Sequence, residues 1–234
     1  MTSRSRRERF SWQAAIREPW PRWPRSSATP KLPAPPDHLA VIPPDWRVVP
    51  AGTTLFRVYR RAGPHPGTWN SFRFYGPLNS RFDPHELPRS TQQRGVLYGA
   101  THPAAALAEF FQTRRTINVR HRQPWLVGFA LSREVRLLDL TGLWPTRAGA
   151  SMTIASGPRP RARAWARAIY AAYSGAEGLW YGSSMHANTP CAALFERAQG
   201  AVPSLPGYHR ALVDETLRAF LTNVAADLNF RLIL

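Results

Sequence analysis

An α+β domain is what this sequence predicts, on three grounds. Strand-length runs of alternating apolar and polar residues mingle with helical runs, without the regular strand–helix alternation of a doubly wound sheet. Hydrophobic residues make up 44% of the 234 positions, enough for one core of ordinary size. No internal repeat divides the chain into stacked units.

Taken in order, residues 1–45 come first and hold nine of the 23 prolines, set among arginines and serines. Such a stretch buries too little apolar surface to order itself. It is expected to be a flexible basic arm, with Trp12, Trp20 and Trp23 as docking points, ahead of a folded domain over 46–234. TTLFRVYRR (53–61) alternates as a half-buried strand that carries Arg57, ordinarily an outward position opposite Phe56 and Val58. Residues 62–94, including FRFYGPLNSRFDP, read as loop with short extended pieces, and so long a loop inside a compact domain points to function.

GVLYGA (95–100) is a short strand with Tyr98 in it, and THP then opens a helix, Thr101 capping and Pro103 in the first turn. In PAAALAEFF (103–111), residues 104, 107, 108 and 111 form the core-facing stripe, which leaves Glu109 toward water or a cleft. PWLVGFALS and VRLLDL are further strands, RARAWARAIYAAY (161–173) an amphipathic helix, and GLWYGSS a strand running into a loop. CAALFE suits strand or helix, and 209–228 is helical by pattern.

The formal charge is +17 with a pI near 11.5, which makes polyanions the natural partners: nucleic acid, a phosphorylated substrate or an acidic protein. Lys31 is the one lysine among 31 basic residues, and arginine's planar fork matches phosphate oxygens in pairs. The single Cys191 excludes a disulfide framework and a multi-cysteine zinc site, and the seven histidines lack ligand spacing, so no metal is expected. With no apolar run of membrane-spanning length and no signal-peptide pattern at the N-terminus, the expected address is the cytoplasm, with no membrane partner.

Several side chains are candidates for chemistry, each with an ordinary reading beside it. Glu109 is the lone polar residue of its helix, and a solvated surface glutamate is the ordinary alternative. Ser183 and Ser184 follow a strand end, where serine is common turn chemistry. Ser183 with His186 would make a nucleophile–base pair, but no Gly-x-Ser-x-Gly elbow supports a hydrolase. Arg81 would ordinarily pair with Asp83 or Glu86, and Tyr98 would be a half-buried aromatic.

Their order is more telling than any one of them. Arg57 in the first strand, RFDP, an LY strand, A-x-x-E on the next helix and Y-x-S after a late strand together resemble the RES domain family over roughly residues 52–200. The family is named for its Arg, Glu and Ser. The resemblance implies an α+β fold like that of ADP-ribosylating toxins such as diphtheria toxin. It also implies a bacterial toxin of a toxin–antitoxin pair that destroys NAD by hydrolysis or phosphorolysis of the nicotinamide–ribose bond.

The partner it implies is a helix-turn-helix antitoxin of the Xre type, which covers the active site and binds operator DNA. Homodimerisation stays open. NAD is then substrate rather than cofactor, with inorganic phosphate as an alternative co-substrate to water. Carried over, the family's Arg falls on Arg57, a second Arg on Arg81, its Tyr on Tyr98, its Glu on Glu109 and its Ser on Ser183, with Ser184 beside it.

The residue types suit that reaction. As nicotinamide leaves, positive charge spreads over the ribose ring, and a carboxylate near the ring stabilises it. Apolar neighbours lower the effective dielectric, so the charge of Glu109 counts for more. Arg57 or Arg81 would grip the pyrophosphate, Tyr98 would offer a face to the nicotinamide ring, and Ser183 would hydrogen-bond ribose or the amide. An ADP-ribosyltransferase would need the same cleft with another acceptor. A basic nucleic-acid-binding module would instead show steeply salt-dependent binding and no NAD turnover.

Overall fold

Strands whose central members are buried on both faces build a mixed sheet in the computed structural model, which describes residues 32–234. The arm's three tryptophans, Trp12, Trp20 and Trp23, lie outside the described residues. In chain order the elements are β1 (Trp46–Val49), β2 (Thr54–Arg60), β3 (Arg73–Gly76), β4 (Ser90–Ala100), α1 (Pro103–Phe111), β5 (Thr116–Asn118), β6 (Pro124–Ala130) and β7 (Val135–Asp139). Then come α2 (Trp144–Arg147), α3 (Arg159–Ala172), β8 (Gly178–Gly182), β9 (Pro190–Phe195), β10 (Tyr208–Ala211), α4 (Arg218–Asp227) and β11 (Arg231–Ile233). The main sheet runs β1-β7-β8-β9-β4-β2-β6-β10, with β3 also paired to β4, while β5 and β11 form a small parallel pair. Within the main sheet only β7 and β8 pair parallel, so the fold is α+β as the sequence predicts.

Each face of the sheet has its own core. Val58, Val96 and Tyr181 look toward the helices, where they meet Leu107 and Phe111 of α1, Trp165 and Ile169 of α3, and Leu221 and Val224 of α4. Leu55, Leu97 and Trp180 look the other way, onto Trp69, Phe72 and Ala198 from connecting segments. Burial of this much apolar side chain is the main driving force for the fold. Between β2 and β4 the sheet is barely closed: the two strands share one bridge, Phe56 with Ala100, whereas β2 and β6 pair along their whole length. The gap that opens there makes the cleft described below.

Four expectations need correction. Residues 32–45 are not free arm: Leu32 and Leu39 are buried, Trp165 donates its indole N–H to the Pro33 carbonyl at 2.8 Å, and the Tyr173 hydroxyl lies 2.8 Å from the Leu39 carbonyl and 3.0 Å from that of Ile42. Proline bars regular pairing but leaves carbonyls to accept from α3. β4 starts at Ser90 rather than 95, because β3 supplies it with a partner. His102, not Thr101, caps α1: its Nδ1 accepts from the Ala104 N–H, while the Thr101 hydroxyl donates to the Pro190 carbonyl. The 209–228 segment is helical only from Arg218, since Tyr208–Ala211 completes the sheet edge against β6. CAALFE resolves as strand β9.

Candidate active site

The cleft between β2, β4 and α1 is a cavity of about 430 Å³. Five guanidinium side chains line it, those of Arg57, Arg60, Arg73, Arg81 and Arg159, and Glu109 is the one carboxylate among the lining residues. Tyr98, Tyr181, Phe56 and Phe110 supply aromatic wall, and Cys191 lies at the surface of the cavity. Of the residues expected from sequence, Arg57, Arg81, Tyr98 and Glu109 therefore share one cavity.

Glu109 stands near the end of α1, a helix whose residues 104–108 are all buried. It is only half-buried itself, since its side chain opens to the cleft. Both carboxylate oxygens are held. The Ser183 hydroxyl donates to Oε1 at 2.6 Å, and the Gln112 amide donates to Oε2 at 3.0 Å and to the Glu109 carbonyl at 2.7 Å. Gln112 is held in turn by Arg159, whose Nη2 donates to its Oε1 at 2.8 Å. A cation lining the cavity is thus linked through one amide to the carboxylate.

Ser183 needs a revised role. It is 1% exposed, lies outside the cavity lining, and accepts from the Met185 N–H while donating to Glu109. Its hydroxyl holds the carboxylate from outside the cavity lining. Ser184 leaves the site altogether: it is exposed and lines no part of the cavity. The physical reason is the turn after β8. Ala187 and Asn188 both take left-handed backbone conformations, and the Asn188 N–H closes onto the Ser183 carbonyl, so Ser183 points in and its neighbour out. The pairing of Ser183 with His186 is not made either, since His186 Nδ1 meets the Thr189 hydroxyl at 2.7 Å.

Arg57 is perturbed by its burial. Its Nη1 is shut off from solvent with no hydrogen-bond partner, and burial lowers the guanidinium to about 10, with Tyr59 opposing in part. Arg81 is freed from the acids expected to hold it. Asp83 pairs with Arg73 at 2.8 Å and Glu86 with Arg94 at 2.7 Å, leaving Arg81 to donate to the Gly157 carbonyl. Burial and the nearby Arg159 both lower its pKa, while Glu109 raises it. Arg60 has a buried Nε without partner, and its guanidinium stacks over Phe110 at 4.5 Å.

Tyr98 receives the Phe82 N–H at 3.2 Å, and burial raises its phenol. Burial likewise raises the Tyr181 phenol well above its ordinary range, and Cys191 and Glu109 act in the same direction. Cys191 is pushed up to about 12 by burial and by Glu109, so the thiol is protonated and no nucleophile at neutral pH. Sequence reasoning missed Arg60, Arg159, Gln112, Tyr181 and Cys191 as site residues. Tyr181 was within reach, as the first letter of Y-x-S.

Asp83 of RFDP holds the cleft's far wall in place. It is fully buried, accepts from Arg73 and the Leu78 N–H at 2.8 and 2.7 Å, and contacts His85. Burial alone would raise its pKa, but the His85 hydrogen bond and the Arg73 charge win and hold it down to about 2, from 3.8. Because the unfolded carboxyl then binds protons more readily than the folded one, the stabilisation is present above pH 3.8 and fades as pH falls toward 2. Asp83→Asn is expected to lower stability by about 2–3 kcal/mol at pH 7 and to flatten the acid limb, read from urea midpoints between pH 7 and 2. An unchanged midpoint at pH 7 would remove Asp83 from this role.

Sheet, helices and cleft together define an α+β protein with one clamped carboxylate facing an arginine-lined cavity. The chain belongs to the RES domain family, whose model matches residues 54–214. Among curated proteins none matches its sequence. A chain in the crystal structure of the M. tuberculosis MbcT–MbcA toxin–antitoxin complex is similar in fold, with a TM-score of 0.52 at 14% identity over 76% of this chain and 92% of that one. Among the described residues no helix is long and apolar enough to cross a membrane, and no group of three or more His, Cys, Asp or Glu is set to hold a metal.

Proposed function

We propose that this chain is the toxin of a toxin–antitoxin pair and that it cleaves the nicotinamide–ribose bond of NAD. The observation that carries the proposal is Glu109, the one carboxylate in a cavity lined by five arginines, its two oxygens each held by a neutral donor. Membership of the RES family and the fold shared with a chain of a toxin–antitoxin complex support the same reading.

In this reading Arg57, Arg81 and Arg159 take the pyrophosphate, whose paired oxygens suit planar guanidinium groups. Tyr98 and Tyr181 flank the nicotinamide and ribose with phenols that stay protonated. Positive charge grows on the ribose as nicotinamide departs, and the Glu109 carboxylate, already oriented, stabilises it without reorganising. No side chain here needs to attack carbon: the Ser183 hydroxyl is committed to Glu109 and the Cys191 thiol is protonated. Water or inorganic phosphate then adds to the ribose, giving ADP-ribose or its 1″-phosphate.

The proposed partner is a helix-turn-helix antitoxin of the Xre type, through which operator DNA is reached. Incubating purified protein with NAD, with and without phosphate and with no protein acceptor, tests the activity. Free nicotinamide together with ADP-ribose or its 1″-phosphate is expected. Intact NAD in both arms would sink the proposal, and label carried onto a macromolecule added as acceptor, without free product, would replace it with ADP-ribosyl transfer.

A further inference from the structure

A second basic cavity, of about 780 Å³, lies beside the cleft. Arg89, Arg163 and Arg167 line it, with Pro77, Leu87 and Pro160 as apolar wall, and Asn79 lines both cavities. Arg159, Arg163 and Arg167 follow one another at four-residue spacing along α3, so one helix face carries guanidinium groups from the cleft into this cavity. Like charges at that spacing destabilise a helix, and α3 contains no Asp or Glu to offset them.

A solvated cationic face would explain exposed arginines, but it does not explain Arg163, whose Nη1 is shut off from solvent with no hydrogen-bond partner. Leaving such a group unpaired is costly unless a ligand completes it. Nearby carboxylates answer only part of this charge. Glu86 is 3.7 Å from Arg167 and is shared with Arg94 at 2.7 Å, while Arg89 donates to the Pro77 carbonyl and pairs with no carboxylate among the described residues.

We infer that this cavity is a second phosphoryl-binding site, for a phosphate group beyond the pyrophosphate of the cleft. Its size and its proline and leucine walls suit a phosphate that arrives attached to a nucleoside. Two sources carry that chemistry: a separate nucleotide, or the 2′-phosphate of NADP lying across both cavities. The second source rests on the reading of the cleft as an NAD site, and the first does not.

Calorimetric titration tests it with ATP, adenosine, NAD and NADP as probes, on Glu109→Gln protein so that dinucleotides stay intact. The comparison proteins add Arg163→Gln, Arg167→Gln or Arg57→Met to that background. ATP is expected to bind at least about tenfold tighter than adenosine, and Arg163→Gln and Arg167→Gln each to remove that advantage. Arg57→Met, which weakens only the cleft, should leave the advantage of ATP over adenosine in place. If saturating NAD leaves ATP bound, the ligand is a separate nucleotide. If instead NADP outbinds NAD and the difference vanishes in Arg167→Gln, it is the dinucleotide's own phosphate.

The inference is overturned if neither ATP nor NADP outbinds its partner lacking the phosphate, or if Arg167→Gln and Arg163→Gln both retain the full advantage. Failure of the NAD reading is separable, because it appears as absent NAD turnover in the unsubstituted protein whatever ATP does.

Discussion

Glu109→Gln will slow NAD consumption by about a thousandfold while leaving the melting temperature within a few degrees of the parent. The amide keeps the shape of the side chain, and its one oxygen still accepts one of the two hydrogen bonds, so the charge and one acceptor are what is lost. Charge is what the reaction needs, because the ribose becomes cationic on the way to bond cleavage. In bulk water a carboxylate 4 Å from a unit positive charge gains about 1 kcal/mol, but in a half-buried cleft several times that. Helix α1 gives the cleft this character by burying alanines 104–106 and 108 beside the carboxylate.

Ser183→Ala, which removes one of two donors to Glu109 and leaves the charge, will lose about tenfold in kcat with KM little changed. Nicotinamide release from NAD, followed by chromatography for each variant, measures both effects. Parental turnover in Glu109→Gln would remove the carboxylate from the chemistry.

How far the site could be read from sequence depends on which distances matter. Arg57, Tyr98 and Glu109 were legible because each sits in a short run whose periodicity sets its element, and their mutual order matches a family. Arg159 and Gln112 were not. Gln112 is an ordinary polar residue at a helix end until Arg159, 47 positions on, fixes its amide toward Glu109. The role of Ser183 was hidden for the same reason: its contact with Glu109 spans 74 positions, and a hydroxyl near a strand end carries no local sign of where it points.

The packed 32–45 segment shows a further limit. Its prolines keep it out of the sheet and leave one short 3-10 turn, Leu39–Val41, yet its Pro33 and Leu39 carbonyls are what Trp165 and Tyr173 bind. Composition reports what a segment cannot form alone, not what a neighbouring helix will hold in place.

The basic balance of the chain becomes intelligible around Arg60. Arg114 and Arg122 act on its charge, and both are exposed, as are Arg115 and Arg120 nearby in sequence. Arg60 itself lines the cavity. A positive surface leading to an arginine-lined cleft draws anions inward, and salt screens that attraction. Part of the +17 charge therefore surrounds the cavity.

Arg57→Met will raise stability and weaken NAD binding in the same protein. The guanidinium is held in a place where burial lowers it to about 10 and where Nη1 has no partner, so the folded state at neutral pH carries an uncompensated cation. Methionine fills similar volume with no charge to desolvate, and replacing a buried ion by an apolar isostere commonly gains about 1–4 kcal/mol. A gain at the lower end of that range, about 1–2 kcal/mol, is expected in urea unfolding, since part of the side chain remains accessible from the cleft. NAD binding should weaken by about a hundredfold, the loss expected when a desolvated guanidinium stops meeting phosphate. Arg57→Lys separates charge from geometry: it keeps the cation but not the planar fork, and will recover little of the binding. Were Arg57→Met instead to destabilise the fold, the guanidinium would be satisfied by the protein itself, and its cost could not be ascribed to a site waiting for an anion.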